Sequence, residues 1–118
     1  MSLPTNKLPI YKVAYDLLSV AVDYAQNIPR PFRAIGDRVR DLCIDVVLLI
    51  VKANSAAQKT PYLDVLLEQV DELNLLLRIC QDKRFISKPQ YAKAVELIRS
   101  VGKQANGWRK YCAASPVT

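Results

Sequence analysis

Apolar residues in this chain return every three to four positions in four separate blocks, and prolines stand between the blocks or just inside their first turns. That period puts each apolar set on one side of a helix and leaves a polar side opposite. No segment alternates as a half-buried strand does. A chain so punctuated must bring several amphipathic helices onto one shared core.

The first block, Ile10, Val13, Ala14, Leu17, Leu18, Ala21, Val22 and Ala25, follows Pro9 and is broken by Asn27, Pro29 and Pro31. Tyr11, Tyr15 and Tyr24 flank its centre. The second block spans about residues 32–54. Its first half is charged, with Arg33, Asp37, Arg38, Arg40 and Asp41 spaced for pairs such as Arg33–Asp37 and Asp37–Arg40. Its second half, Leu42–Val51, is apolar nearly all round except for Asp45. A helix that apolar cannot be fully enclosed in a small bundle, so its outer residues Ile44, Val47, Leu48 and Val51 are expected to form an oligomer interface.

A polar connection, Lys52–Thr60, leads to Pro61 and a third block, Leu63, Leu66, Leu67, Val70, Leu73, Leu77 and Cys80, widened by Leu75, Leu76 and Ile79. Arg78 stands alone among these leucines and must snorkel, pair with an acid or enter a shared polar site; snorkelling or pairing within the helix is the default. The fourth block opens at Ser87, whose hydroxyl can cap the helix while Gln90 reaches back to the Ser87 N–H, with Pro89 in the first turn. Tyr91, Val95, Ile98, Val101, Ala105, Trp108 and Cys112 form its apolar stripe, and Lys88, Arg99, Lys103 and Lys110 fall opposite.

The expected architecture is therefore all-α, an antiparallel up-down-up-down four-helix bundle with helices at about 9–27, 32–54, 61–82 and 87–112. Residues 1–8 read as an extended lead-in, 9–112 as a single domain and 113–118 as a frayed tail. At 118 residues the chain can bury its core without disulfides or metal. No apolar run is long enough to cross a bilayer and the N-terminus has no export signal, so a cytoplasmic protein with no membrane partner is expected.

Catalysis lacks its usual parts. The chain has no His, which removes the commonest general base and the inward Glu-x-x-His pairs of di-iron bundles. Cys43, Cys80 and Cys112 have no ligand spacing; Cys43 and Cys80 read as small buried hydrophobes, while Cys112 lies near a fraying end where exposure is open. No phosphate-cradling glycine loop is present. No cofactor and no metal are expected, and the chain reads as not an enzyme.

Charge is the remaining signal. The net charge is +6, and it is distributed unevenly: residues 63–82 carry −4 and residues 83–111 carry +7. A charged face is often only a solvated face, but an excess this local favours phosphate contacts that do not read sequence. From charge alone the candidate contacts are Arg33, Arg84, Lys88, Arg99, Lys103 and Lys110. Trp108 falls on the core stripe and reads as packing rather than base stacking.

The segments LPIYKVAYDLL, NIPRPFRAIGDRVRDLCIDVVLLIVKAN, VDELNLLLRIC and ISKPQYAKAVELIRSVGKQANGW occur in this order over nearly the whole chain. Together they resemble the Avd-like four-helix-bundle proteins, the accessory variability determinants of diversity-generating retroelements. The resemblance implies a homopentameric barrel of bundles that binds the retroelement reverse transcriptase and RNA or DNA without sequence preference. It also implies a non-catalytic role in mutagenic, adenine-targeted cDNA synthesis from a template RNA. Arg30, Arg78 and Arg109 fall at matching places in the family pattern and join the candidate contacts. Two alternatives stand beside this reading: a bundle of the kind encoded by intervening sequences in 23S ribosomal RNA genes, and a protein–protein interaction bundle with no nucleic-acid role.

Overall fold

A computed structural model describes residues 4–114. Four helices follow one short 3-10 turn at Thr5–Lys7: α1 (Pro9–Ala25), α2 (Arg33–Ser55), α3 (Thr60–Asp82) and α4 (Lys88–Ala114), with a second 3-10 turn, Arg30–Phe32, between α1 and α2. Each helix packs on its sequence neighbours and α4 closes on α1, while the diagonal pairs do not meet among the described residues. Cross-helix contacts set the directions. Asn54, at the end of α2, donates to the Thr5 hydroxyl at 3.4 Å before α1 begins. Phe32 just before α2 packs on Phe85 just after α3, Arg38 early in α2 pairs with Glu72 past the middle of α3, and Asp64 early in α3 pairs with Arg109 late in α4. Each of these consecutive pairs is therefore antiparallel. The molecule measures 48 × 22 × 21 Å, a cross-section two helices wide in each direction.

The stripes read from sequence supply the core. Leu17, Leu42, Val46, Ile50, Leu63, Leu66, Leu73, Ile98 and Val101 are all buried to within 2% of complete. Each such side chain contributes about 1.5–3 kcal/mol by leaving water, which offsets the entropy of ordering the chain. Gly36 marks a close approach of α2 to the end of α1: a Cβ there would sit 3.0 Å from Ile28 Cδ1, and the tip of that side chain would have to give way by a few tenths of an ångström.

The ends of the elements refine the sequence reading by one or two residues. Residues 5–7 form a turn rather than an extended lead-in, held by the Lys7 N–H donating to the Pro4 carbonyl at 2.9 Å. The first helix stops at Ala25, two residues early, where the Asn27 N–H bonds the Tyr24 carbonyl. The second runs through Ser55, into the segment read as a connection, because Lys59 folds back and its Nζ donates to the carbonyls of Ala53, Asn54 and Ala56 at 3.0, 3.0 and 2.8 Å. A lysine satisfying the last carbonyls also complements the negative end of the helix dipole. The fourth helix continues through Ala114, two residues past its expected end; residues 115–118 of the expected tail lie outside the described residues, as do 1–3 of the lead-in.

Candidate nucleic-acid interface

α4 begins as its sequence requires. The Ser87 N–H donates to Gln90 Oε1 at 2.8 Å and the Gln90 N–H donates to Ser87 Oγ at 3.2 Å. This reciprocal cap fixes where the helix starts, and so which residues face out. Lys88, Arg99, Lys103 and Lys110 are all exposed on the side opposite buried Ala94, Ile98, Val101 and Ala105. From Lys88 to Lys110 this row extends for about 33 Å at the helical rise. Trp108 is half-buried against the core, as its place on the stripe requires.

The row has acidic neighbours. α3 carries a net charge of −4 and packs directly against α4, which carries +5. One member of the candidate set is drawn into this seam: Arg109 Nε donates to Asp64 Oδ1 across the two helices, each side chain a little under half exposed. Arg109 thus acts as a strut between α3 and α4 as well as a surface cation. Arg78 is exposed and makes no ion pair among the described residues, the snorkelling outcome rather than a buried polar site. In α2, Asp37 pairs with Arg40 at 3.2 Å and Arg38 with Glu72, while Arg33 stays unpaired among the described residues.

The remaining candidates gather at one end. The α1–α2 loop and the α3–α4 loop lie together there, joined by the rings of Phe32 and Phe85 at 4.8 Å between centroids. This contact brings Arg30 and Arg33 to the same end as Arg84 and Lys88, residues far apart in sequence. The candidate set thus falls into a loop-end group, Arg30, Arg33, Arg84 and Lys88, and a row along α4, Arg99, Lys103, Arg109 and Lys110, with Arg78 apart on α3.

Ile44, Leu48 and Val51 are exposed at 38, 47 and 38%, and Val47 is half-buried beside the core. The structure adds Tyr15, which sequence reading left as a flank of the first stripe, and Val22, which it placed on that stripe and which is exposed instead. Tyr15 and Val22 of α1 are 54 and 38% exposed on the side that leads onto α2, and Val22 borders a recess shared with Asp37 and Arg40. The α1–α2 side of the bundle thus presents a broader apolar surface than α2 alone. The exposure of Tyr15 and Val22 follows from which neighbour α1 meets, which a single helix pattern does not encode.

Burial suppresses thiol chemistry at Cys43 and Cys80. Burial pushes the Cys43 thiol up to about 12 and raises that of Cys80, so neither forms the thiolate a nucleophile needs near neutral pH. Cys112 is 4% exposed: the end of α4 on which it lies packs down instead of opening. No cluster of His, Cys, Asp and Glu fit to hold a metal occurs among the described residues, and no helix there is long and apolar enough to cross a membrane.

No curated protein and no solved structure matches the chain. The sequence model of the bAvd-like family matches residues 8–112, from the entry of α1 to the last buried residue of α4, and the chain belongs to that family.

Proposed function

We propose that this bundle is a non-catalytic accessory subunit of a diversity-generating retroelement, which binds the reverse transcriptase and nucleic acid and supports mutagenic reverse transcription. Membership of the bAvd-like family over nearly all of the bundle carries the reading. The exposed basic row of α4 supports it, since four separated cations along one helix suit a phosphate backbone and none of them reads a base. The apolar α1–α2 side supports self-association, pentameric by resemblance, around Ile44, Val47, Leu48 and Val51.

Titration of labelled single-stranded and duplex oligonucleotides at two salt concentrations tests the charge argument. Four phosphate contacts give a log–log salt slope of about −4 on duplex DNA. Arg99→Glu with Lys103→Glu should weaken binding of every sequence while the helical content stays unchanged, because both side chains are exposed. Binding that ignores salt, or no binding at low salt, removes the nucleic-acid part of the reading. A gene lacking any neighbouring reverse transcriptase removes the retroelement part.

A further inference from the structure

Two aromatic rings organise the loop end of the bundle. Phe85 follows α3, is half-buried and packs against the core. Phe32 ends the turn before α2 and leans on Phe85 with the ring planes at 43°, yet keeps 42% of its surface exposed. One side of the Phe32 ring is thus held from behind while the other meets solvent. Around this pair stand Arg30, Arg33, Lys83, Arg84 and Lys88, all exposed and none in an ion pair among the described residues. The acids nearby are few: Asp37 is taken by Arg40, leaving Asp23 near the end of α1 and Asp82 at the end of α3. A recess of about 600 Å³ opens beside Phe85 between Arg84 and Lys88, with Asp82 also on its wall, a volume in the range of small-ligand sites.

Arg84 adds a second mark. Its φ is 62°, in the left-handed region where glycine usually closes a helix. A long cation held there at a conformational cost is an outlier that asks for a use.

The ligand chemistry follows from the combination. An apolar protein surface would have to strip water from five cations to reach one phenyl ring. A duplex offers phosphates but keeps its base faces stacked inside. Single-stranded nucleic acid offers both an exposed base face for the ring and flanking phosphates for the cations. The geometry points to this end as a seat for single-stranded nucleic acid, with a base on the open side of Phe32 and neighbouring phosphates on Arg30, Arg33 and Arg84. The seat rests on the nucleic-acid reading above and names the strand form and the place.

Fluorescence anisotropy with a labelled oligothymidylate and a labelled blunt duplex tests it on the whole chain. Phe32→Leu keeps the apolar contact to Phe85 and removes the aromatic face. It should weaken single-strand binding about tenfold and leave duplex binding within about twofold. Phe32→Trp should restore the single-strand affinity, and thermal melting should show both variants folded as the parent. An equal loss on both strands, or no loss on either, overturns the seat. If Arg99→Glu with Lys103→Glu weakens binding while Phe32→Leu changes nothing, the general reading stands and the seat alone falls. If the parent binds neither strand at low salt, both fall.

Discussion

The α1–α2 hairpin and the α3–α4 hairpin contribute to one core, but they turn different chemistry outward. The first has helices of net charge −1 and +1 and exposes Tyr15, Val22, Ile44, Leu48 and Val51 on neighbouring surface. The second has helices of −4 and +5 and joins them through Asp64 and Arg109; it exposes apolar side chains too, Tyr62, Val65, Leu75 and Tyr111, but on helices of several-fold larger charge. An apolar surface attracts only at contact, through area removed from water. A charged one acts over about 8–10 Å at moderate salt, and salt weakens it. The two sides therefore suit different partners at once: another folded surface on one, phosphates on the other.

Placing charge on the apolar side should give the largest effect. Ile44→Lys with Leu48→Lys would bury two unpaired ammonium groups in any interface formed by α2. The dissociation constant for self-association is expected to rise roughly a hundredfold or more, since an uncompensated buried charge costs several kcal/mol. Light scattering across a range of concentrations reads this. Circular dichroism should show the fold unchanged, because both positions are exposed in the single bundle. A parent protein that is monomeric throughout, or a variant that associates as tightly as the parent, would erase the functional distinction between the two sides.

The charged hairpin should respond more weakly. Asp64 and Arg109 are 48 and 42% exposed, so water screens their attraction and the pair is worth at most about 1 kcal/mol. Asp64→Asn should therefore lower stability to urea by less than that. It also releases Arg109 and removes one negative charge beside the α4 row, so nucleic-acid affinity at low salt should rise a few-fold and the gain should vanish at high salt. A loss of about 3 kcal/mol would instead mean that the pair is a structural requirement of the α3–α4 seam.

What sequence revealed, and what it hid, divides along a similar line. The stripes of α1 to α4 were legible because a repeating pattern states which side of a helix is apolar. The Ser87–Gln90 cap was legible because its partners are three residues apart. Lys59 was not, since a lysine in a polar stretch resembles any other until its Nζ is seen on the last carbonyls of α2. Arg109 became a candidate only through the family resemblance, and only the register of α3 against α4 put Asp64 within its reach. The positive charge of the chain was legible as a sum. Its grouping around Phe32 and Phe85 depends on two loops meeting at one end, a fact of tertiary structure alone.

The two loops at that end extend the comparison to the smallest expected effect. The first is shaped by Pro29 and Pro31, with Pro29 at φ −58°, an ordinary value for its ring. The second closes α3 through the Arg84 N–H on the Gln81 carbonyl at 3.0 Å and the Phe85 N–H on the Cys80 carbonyl at 2.8 Å, with Arg84 left-handed between them. Arg84→Gly removes the clash of a Cβ in that conformation, worth about 1–2 kcal/mol, while giving the unfolded chain more freedom, worth about 0.5–1 kcal/mol. The balance is a gain of about 0.5 kcal/mol in urea denaturation. Arg84→Ala is the control: it removes the same cation but keeps the Cβ, and should show no gain. If both variants lose stability instead, the guanidinium makes a contact that the loop requires, and the strain at Arg84 is offset within the fold. If glycine alone gains, the arginine is held there against stability, as a binding role at the loop end demands.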